Sequence, residues 1–260
     1  MIPEAVARQA MHPFRELYVP PDIKLVDGQG FRIGISPWPM AQIAEPVGDG
    51  PEDVAAAVEE ARKIVRAHDR TIVGWWIAPE HDHLASALAE LGVVNEQTPG
   101  FEAVENGMAL VQPPAGKPVA GVEVRLVETW EDYCAAGDVG RACFGTPELP
   151  EHERREQFAR YRSPGNPGRS FCAEIDGRVV GGAYAALGDA GVNLFGGAVL
   201  PEARGRGVYR ALTQARWDFA VERGTPALTV QAGKMSKPIC EGLGFEFVGA
   251  ARVFVDQLSS

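Results

Sequence analysis

Four cysteines in 260 residues, none in CxxC spacing, leave this chain without a disulfide framework or a zinc-site pattern. A reduced, cytoplasmic protein is expected. No apolar stretch approaches the ~20 residues that span a bilayer, so no membrane association is expected. The opening MIPEAVARQAMHPF also lacks the apolar core of a signal peptide. Lysine and arginine do not cluster with aromatic residues anywhere along the chain, which argues against nucleic-acid binding. The P-loop run G-x-x-x-x-G-K-[ST] is absent. The one metal-like cluster, His81-Asp82-His83, alternates at a helix entrance and reads as a solvated cap, so no metal is expected.

What is present is enough apolar sequence, 45% of residues, to bury one large or two small cores. The formal net charge is −10, and it is unevenly spread. Residues 1–117 carry 17 acidic and 9 basic side chains, and residues 118–260 carry 18 and 16. Pro113-Pro114-Ala115-Gly116-Lys117-Pro118 reads as a linker between two domains, 1–117 and 118–260.

Residues 192–223 carry the most information. A β-rich run over 193–200 ends at Pro201, which has no N–H for a ladder. Gly205 and Gly207 then remove side chains where the chain turns. Leu212, Ala215, Phe219 and Ala220 recur at helical spacing beyond them. The free N–H groups and partial positive charge of a helix start suit a phosphate, and Arg204 and Arg206 add forked donors there. A dinucleotide fingerprint is a poor match, because Arg210 stands where its third glycine belongs.

The run Arg204-Gly205-Arg206-Gly207-Val208-Tyr209 instead matches the acyl-CoA turn [QR]-x-x-G-x-[GA] except at its last position. On these residues the chain resembles the GCN5-related N-acetyltransferase (GNAT) superfamily. Downstream, a β run over 227–231, a helix capped by Ser236, and Leu243-Gly244-Phe245 leading into a strand over 245–248 are similar to the family's second motif. Upstream, a strand over 122–127 precedes a helix opened by Thr129-Trp130-Glu131-Asp132, with Tyr133, Ala136, Val139, Gly140 and Cys143 as its expected buried stripe. A charged helix over 151–161 follows, then strands over 170–175 and 178–187 joined by the hairpin signal Asp176-Gly177. The resemblance runs from about residue 122 to 258. It implies an α/β (α+β) fold with a mixed, mostly antiparallel sheet flanked by helices.

The resemblance implies a function as well: acetyl-CoA-dependent transfer of an acetyl group directly to a primary amine of a small molecule or peptide. Val208, Tyr209, Arg210 and Ala211 would hold the pyrophosphate, supported by Arg204, Gly205, Arg206 and Gly207. Ala198, Val199 and Leu200 would contact pantetheine, with Ser236 nearby. The acceptor would bind between 144–161, the loop 162–169 and the end of the domain. Tyr209 should crowd the pyrophosphate or pack under the helix. Cys240 stands where many members place a tyrosine acid, and Asn193 where some place a glutamate base. Cys240 is then a candidate acid or a buried filler. Glu174 and Glu202 are candidate bases, with a water relay as the alternative. A non-catalytic CoA-sensing or partner-binding module of the same fold is the competing reading, and either a monomer or a homodimer is compatible.

The first half weakly echoes the second. Leu91-Gly92-Val93 follows a strand over 71–77 and a helix over 84–91, as Leu243-Gly244-Phe245 follows its own. A helix over 51–67 carries Val54, Val58, Ala61 and Val65 on one face. Its entrance, Gly48-Asp49-Gly50-Pro51-Glu52-Asp53, is acidic and would repel a pyrophosphate. The expectation is a degenerate GNAT-like half, or an unrelated α/β domain, that covers the active half without shaping its pocket.

Overall fold

The computed structural model describes residues 1–12, 23–36, 39–43, 51–96, 98, 101–146 and 148–258. The acidic helix entrance at 48–50 lies outside them, as do the side chains of Pro51 and Glu52. In chain order the elements begin α1 (Glu4–Met11), β1 (Lys24–Gly28), β2 (Phe31–Ile35), β3 (Met40–Ile43), α2 (Pro51–Arg66) and β4 (Ile72–Ile77). A 3-10 turn, Pro79–Leu84, leads into α3 (Ala85–Glu90), and β5 (Val104–Leu110) completes the first half. The second half runs β6 (Glu123–Leu126), α4 (Trp130–Phe144), α5 (Glu151–Tyr161), β7 (Arg169–Ile175), β8 (Arg178–Leu187) and β9 (Val192–Val199). It closes with α6 (Val208–Glu222), β10 (Leu228–Ala232), α7 (Lys237–Gly242) and β11 (Glu246–Gln257).

Local chemistry accounts for these boundaries. Thr129 caps α4 by accepting the Asp132 N–H at 3.1 Å, and Gly145 ends that helix in the left-handed region. Asp176 and Gly177 both take positive φ, 50° and 78°, as a type I′ hairpin turn requires. Along α2, Val54, Val58, Ala61 and Val65 are all buried, against Phe31, Ile33 and Trp75. Along α6, Val208, Leu212 and Ala220 pack into the core of the second half. Burying one leucine such as Leu212 contributes about 2 kcal/mol.

The strands form a single sheet in the order β1-β2-β3-β4-β11-β5-β10-β9-β8-β7-β6. Its pairing reads the same outward from the middle. The central pair β11–β5 is antiparallel; each is antiparallel to its next neighbour, β4 or β10. Beyond these come two parallel pairs, β3–β4 and β9–β10. Each half thus inserts a strand between strands of the other, and the sheet is continuous across residue 117.

Glycines permit the central crossing. A methyl placed on Gly107 of β5 would lie 2.5 Å from Met11 Sδ and 3.0 Å from the Ala10 carbonyl oxygen. On Gly249, at the bulge of β11, it would lie 3.1 Å from the same sulfur. The end of α1 therefore rests on two bare backbones. The strand expected over 245–248 continues through this bulge to Gln257.

Candidate active site

The turn between β9 and α6 has the backbone its sequence demands. Gly205 and Gly207 adopt φ of 74° and 81°, a region that penalises any side chain. The first N–H groups of α6 have no helical acceptor, and no side chain caps them. Arg204, Arg206 and Arg210 are exposed around this start. The linker forms a strap beside it: Ala115 N–H donates to the Leu243 carbonyl at 2.9 Å, and Val119 sits against Gly207. The guanidinium of Arg210 lies over Gly116.

Next to the turn, the sheet splits. β9 and β10 pair at only two positions, Val192 with Leu228 and Asn193 with Thr229, and then diverge as β10 follows β5. The rest of β9 therefore presents an unpaired edge toward the gap. Leu200 N–H points away from it and donates to the Val180 carbonyl at 2.9 Å. By alternation Val199 turns its backbone groups to the gap, where its carbonyl accepts from Arg204 Nε at 3.3 Å and from Cys143 Sγ. The edge contact expected at Leu200 is thus taken by β8. Ala198 is buried beside it.

On the α4 side of β8 and β9 lies a cavity of about 880 Å³. Tyr133, Ala136, Gly140 and Phe144 of α4 face it together with Phe195 and Gly196 of β9. This explains why only Val139 of the expected α4 stripe is fully buried: Tyr133, Ala136 and Gly140 line a cavity, and Cys143 reaches the Val199 carbonyl. Ile35, Ser36 and Arg70 of the first half line the same space. The expectation that the first half merely covers the second is therefore corrected, because the continuous sheet brings the two halves around one cavity.

A strand, a glycine turn with three exposed arginines, an open strand edge and a cavity on the opposite face make up the candidate site. The acetyltransferase (GNAT) family model matches residues 126–245. Residues 126–245 belong to the GNAT superfamily. No curated protein matches the chain. Among solved structures, a GCN5-related N-acetyltransferase from Kribbella flavida is 21% identical with a TM-score of 0.67, covering 96% of this chain and 95% of its own. A second, from Sphaerobacter thermophilus, is 15% identical with a TM-score of 0.66, covering 90% and 83%. A tandem GNAT protein from the clavulanic acid biosynthesis pathway is 15% identical with a TM-score of 0.62, covering 99% and 89%. At these identities the likeness is one of fold, and it extends over both halves.

Within the GNAT domain, the residue in the expected acid position is placed away from open space. Cys240 is fully buried, and burial pushes its thiol above the ordinary range. Its partner is the hydroxyl of Tyr209, whose own pKa is pushed up to about 12, by burial first and then by Cys240. Tyr209 lies across Gly197 of β9, where a methyl would come within 2.9 Å of its ring. Its ring thus packs under the helix, the second of the two placements open to it. Beneath it Arg216 is sealed from solvent, with Nε on the Leu212 carbonyl at 3.0 Å and Nη1 without a partner among the described residues. Burial pulls the pKa of Arg216 down.

Asn193 is also sealed, in a polar network under α1. Thr229 Oγ1 donates to Asn193 Oδ1 at 2.8 Å, Gln231 shares that oxygen, and Gln9 of α1 donates to Thr229 at 3.0 Å. Glu174 pairs with Arg125 at 3.2 Å and does not line the cavity, so its placement lends the base role no support. Glu202 pairs with Arg178 on the surface at 2.9 Å. Ser236 stands at the start of α7 but makes no side-chain cap; its hydroxyl donates back to the Gly233 carbonyl at 3.3 Å. His81 and His83 flank Asp82, which is bonded by Arg252, and no metal-binding group is found among the described residues. The N-terminal contributors to the cavity carry no motif, and only the sheet topology reveals them.

Proposed function

We propose that this protein is an acetyl-CoA-dependent N-acetyltransferase that moves an acetyl group directly to a primary amine. The observation that carries this reading is the Arg204–Gly207 turn at the uncapped start of α6, set against the unpaired edge of β9. The site suits an acyl-CoA chemically. Uncapped N–H groups and three exposed arginines favour a pyrophosphate, and an open strand edge favours an amide-bearing arm. Acetyl-CoA would supply an activated acyl group. Val208, Tyr209 and Arg210 would hold its phosphates through their backbone, whereas the expected Ala211 N–H is spent on the Gly207 carbonyl at 3.0 Å. The edge at Val199 would orient the arm, and its N–H would stabilise oxyanion charge at the carbonyl. The amine would approach from the cavity faced by Phe195 and Gly196. In this reading the first half is a degenerate GNAT-like unit joined near residue 117, and the main catalytic contribution is positioning.

A buried, neutral Cys240 acts as packing in this scheme, and proton transfer passes through water. Calorimetric titration with acetyl-CoA, with desulfo-CoA and NAD as controls, tests the reading. One-to-one micromolar binding of acetyl-CoA, absent for NAD, is expected, and turnover with a panel of amines should follow. A second reading, a CoA-sensing module without turnover, is favoured by the sealed states of Cys240 and Asn193. Binding without transfer to any amine would select it.

A further inference from the structure

The chain is acidic overall, yet the ionic lining of the cavity is mostly basic. Lys24, Arg70, Arg141 and Arg154 face it against the single carboxylate of Glu153. The four cations are not equivalent. Arg141 and Arg154 lie near Asp138 and Glu148, which pair with them from solvent at 2.6–3.7 Å. Lys24 and Arg70, both from the first half, have no carboxylate partner among the described residues.

Among the described residues, no negative charge compensates either of them. Lys24 Nζ donates to His68 Nε2 at 3.0 Å, while His68 Nδ1 lies 2.9 Å from the Ile64 carbonyl. A ring that accepts at Nε2 and donates at Nδ1 is a neutral imidazole, so it adds no countercharge. Arg70 is held by three carbonyl oxygens: Nε on Ser36, and Nη1 on His68 and Asp69, at 2.9–3.2 Å. Carbonyl oxygens fix the guanidinium without neutralising it, and its Nη2 remains without a protein partner among the described residues. A fixed guanidinium beside an ammonium is suited to a carboxylate.

We infer that the acceptor is an amine that also carries a carboxylate, bound at Lys24 and Arg70 with its amine directed to the β9 wall. This rests on the acetyltransferase reading and narrows it to one substrate class. The first half then sets specificity, and the acidity of the whole chain concerns encounter only.

The test compares ω-amino carboxylates with alkylamines of equal length at saturating acetyl-CoA, in the full chain and in Arg70→Gln and Lys24→Gln. The carboxylates should exceed the alkylamines in kcat/KM by about 10- to 100-fold, the range of one or two charge-assisted hydrogen bonds. Each variant should lose about tenfold of that preference, read as the ratio of the two kcat/KM values within one variant. Lys24 is exposed, so its variant keeps the test valid should Arg70→Gln unfold. Calorimetric binding of the ω-amino carboxylates is measured in parallel. Binding that weakens in the variants, without transfer to any amine, would remove the acetyltransferase reading and leave the anion site standing. Equal kcat/KM for both amine classes, or carboxylate binding that neither variant weakens, would overturn the inference.

Discussion

The guanidinium carbon of Arg216 lies 5.8 Å from the centre of the Tyr209 ring, with no water-accessible surface of its own. A buried cation with one unpartnered nitrogen is costly, and a π face with a hydroxyl beyond it partly offsets that cost. Tyr209 thus supports three things at once: the bare backbone of Gly197, the Cys240 thiol and Arg216. Tyr209→Phe should lower stability by about 1–2 kcal/mol, read as a fall in urea midpoint at unchanged slope. An unchanged midpoint would show that the hydroxyl is not bonded.

Cys240→Ala separates packing from catalysis. A sealed neutral thiol has no route to substrate, so kcat should change by less than about threefold, although the cavity left behind destabilises the fold slightly. A loss of about 10²-fold in kcat would restore the acid role that its sequence position suggests.

The two glycines of the turn before α6 respond differently to a methyl group. Gly205 has open space around it, so Gly205→Ala should cost about 1 kcal/mol, from its positive φ alone. At Gly207 the methyl would also meet Val119 at 2.7 Å, and the cost should be clearly larger. Val119→Ala in the Gly207→Ala background should recover part of it. A double-mutant cycle on thermal unfolding measures this coupling, and additivity would mean that the strap does not bear on the turn.

Glu105 predicts a pH dependence of stability. Burial, and then Glu102, raise its carboxyl from 4.5 to about 7. A carboxyl whose folded pKa is raised ionises more readily when unfolded, so stability falls as pH climbs from about 4.5 through 7. Glu105→Gln should therefore stabilise the protein by about 1–3 kcal/mol at pH 8 and leave it unchanged near pH 4.5. Urea unfolding at the two values decides it.

Separating the halves should be harmful in one direction and repairable in another. Residues 118–260 alone lack β5, which leaves facing edges of β10 and β11 unpaired and prone to aggregation. That fragment should be insoluble, whereas co-production of 1–117 and 118–260 as two chains should give a soluble complex. A soluble, monomeric 118–260 would contradict the interlock.

The element order of the second half was legible because each signal was local: Thr129 as a cap, Asp176-Gly177 as a turn, alternation in β7 and β8. The strand β5 was not, since Asn106-Gly107 reads as a turn. Gly107 is there because Met11, nearly a hundred residues away, rests on it. The same contact hides the length of β11, whose Gly249 looks like a stop. The glycine–arginine turn before α6 was readable for a similar reason of locality, and the cavity was not. Its wall from Ile35, Ser36 and Arg70 exists only once the sheet closes around it. Cys240 and Asn193 stood at informative positions, but burial under Tyr209 and α1 decides what they can do.

The interlocked sheet also imposes an order on folding. β4 finds its antiparallel neighbour only in β11, through pairs such as Trp76 with Val253. During synthesis the first half therefore carries an incomplete sheet until the end of the second half leaves the ribosome. Such long-range closure is slow and exposes unpaired strands while it waits. Nascent chains of this protein should depend on chaperones for most of their time on the ribosome.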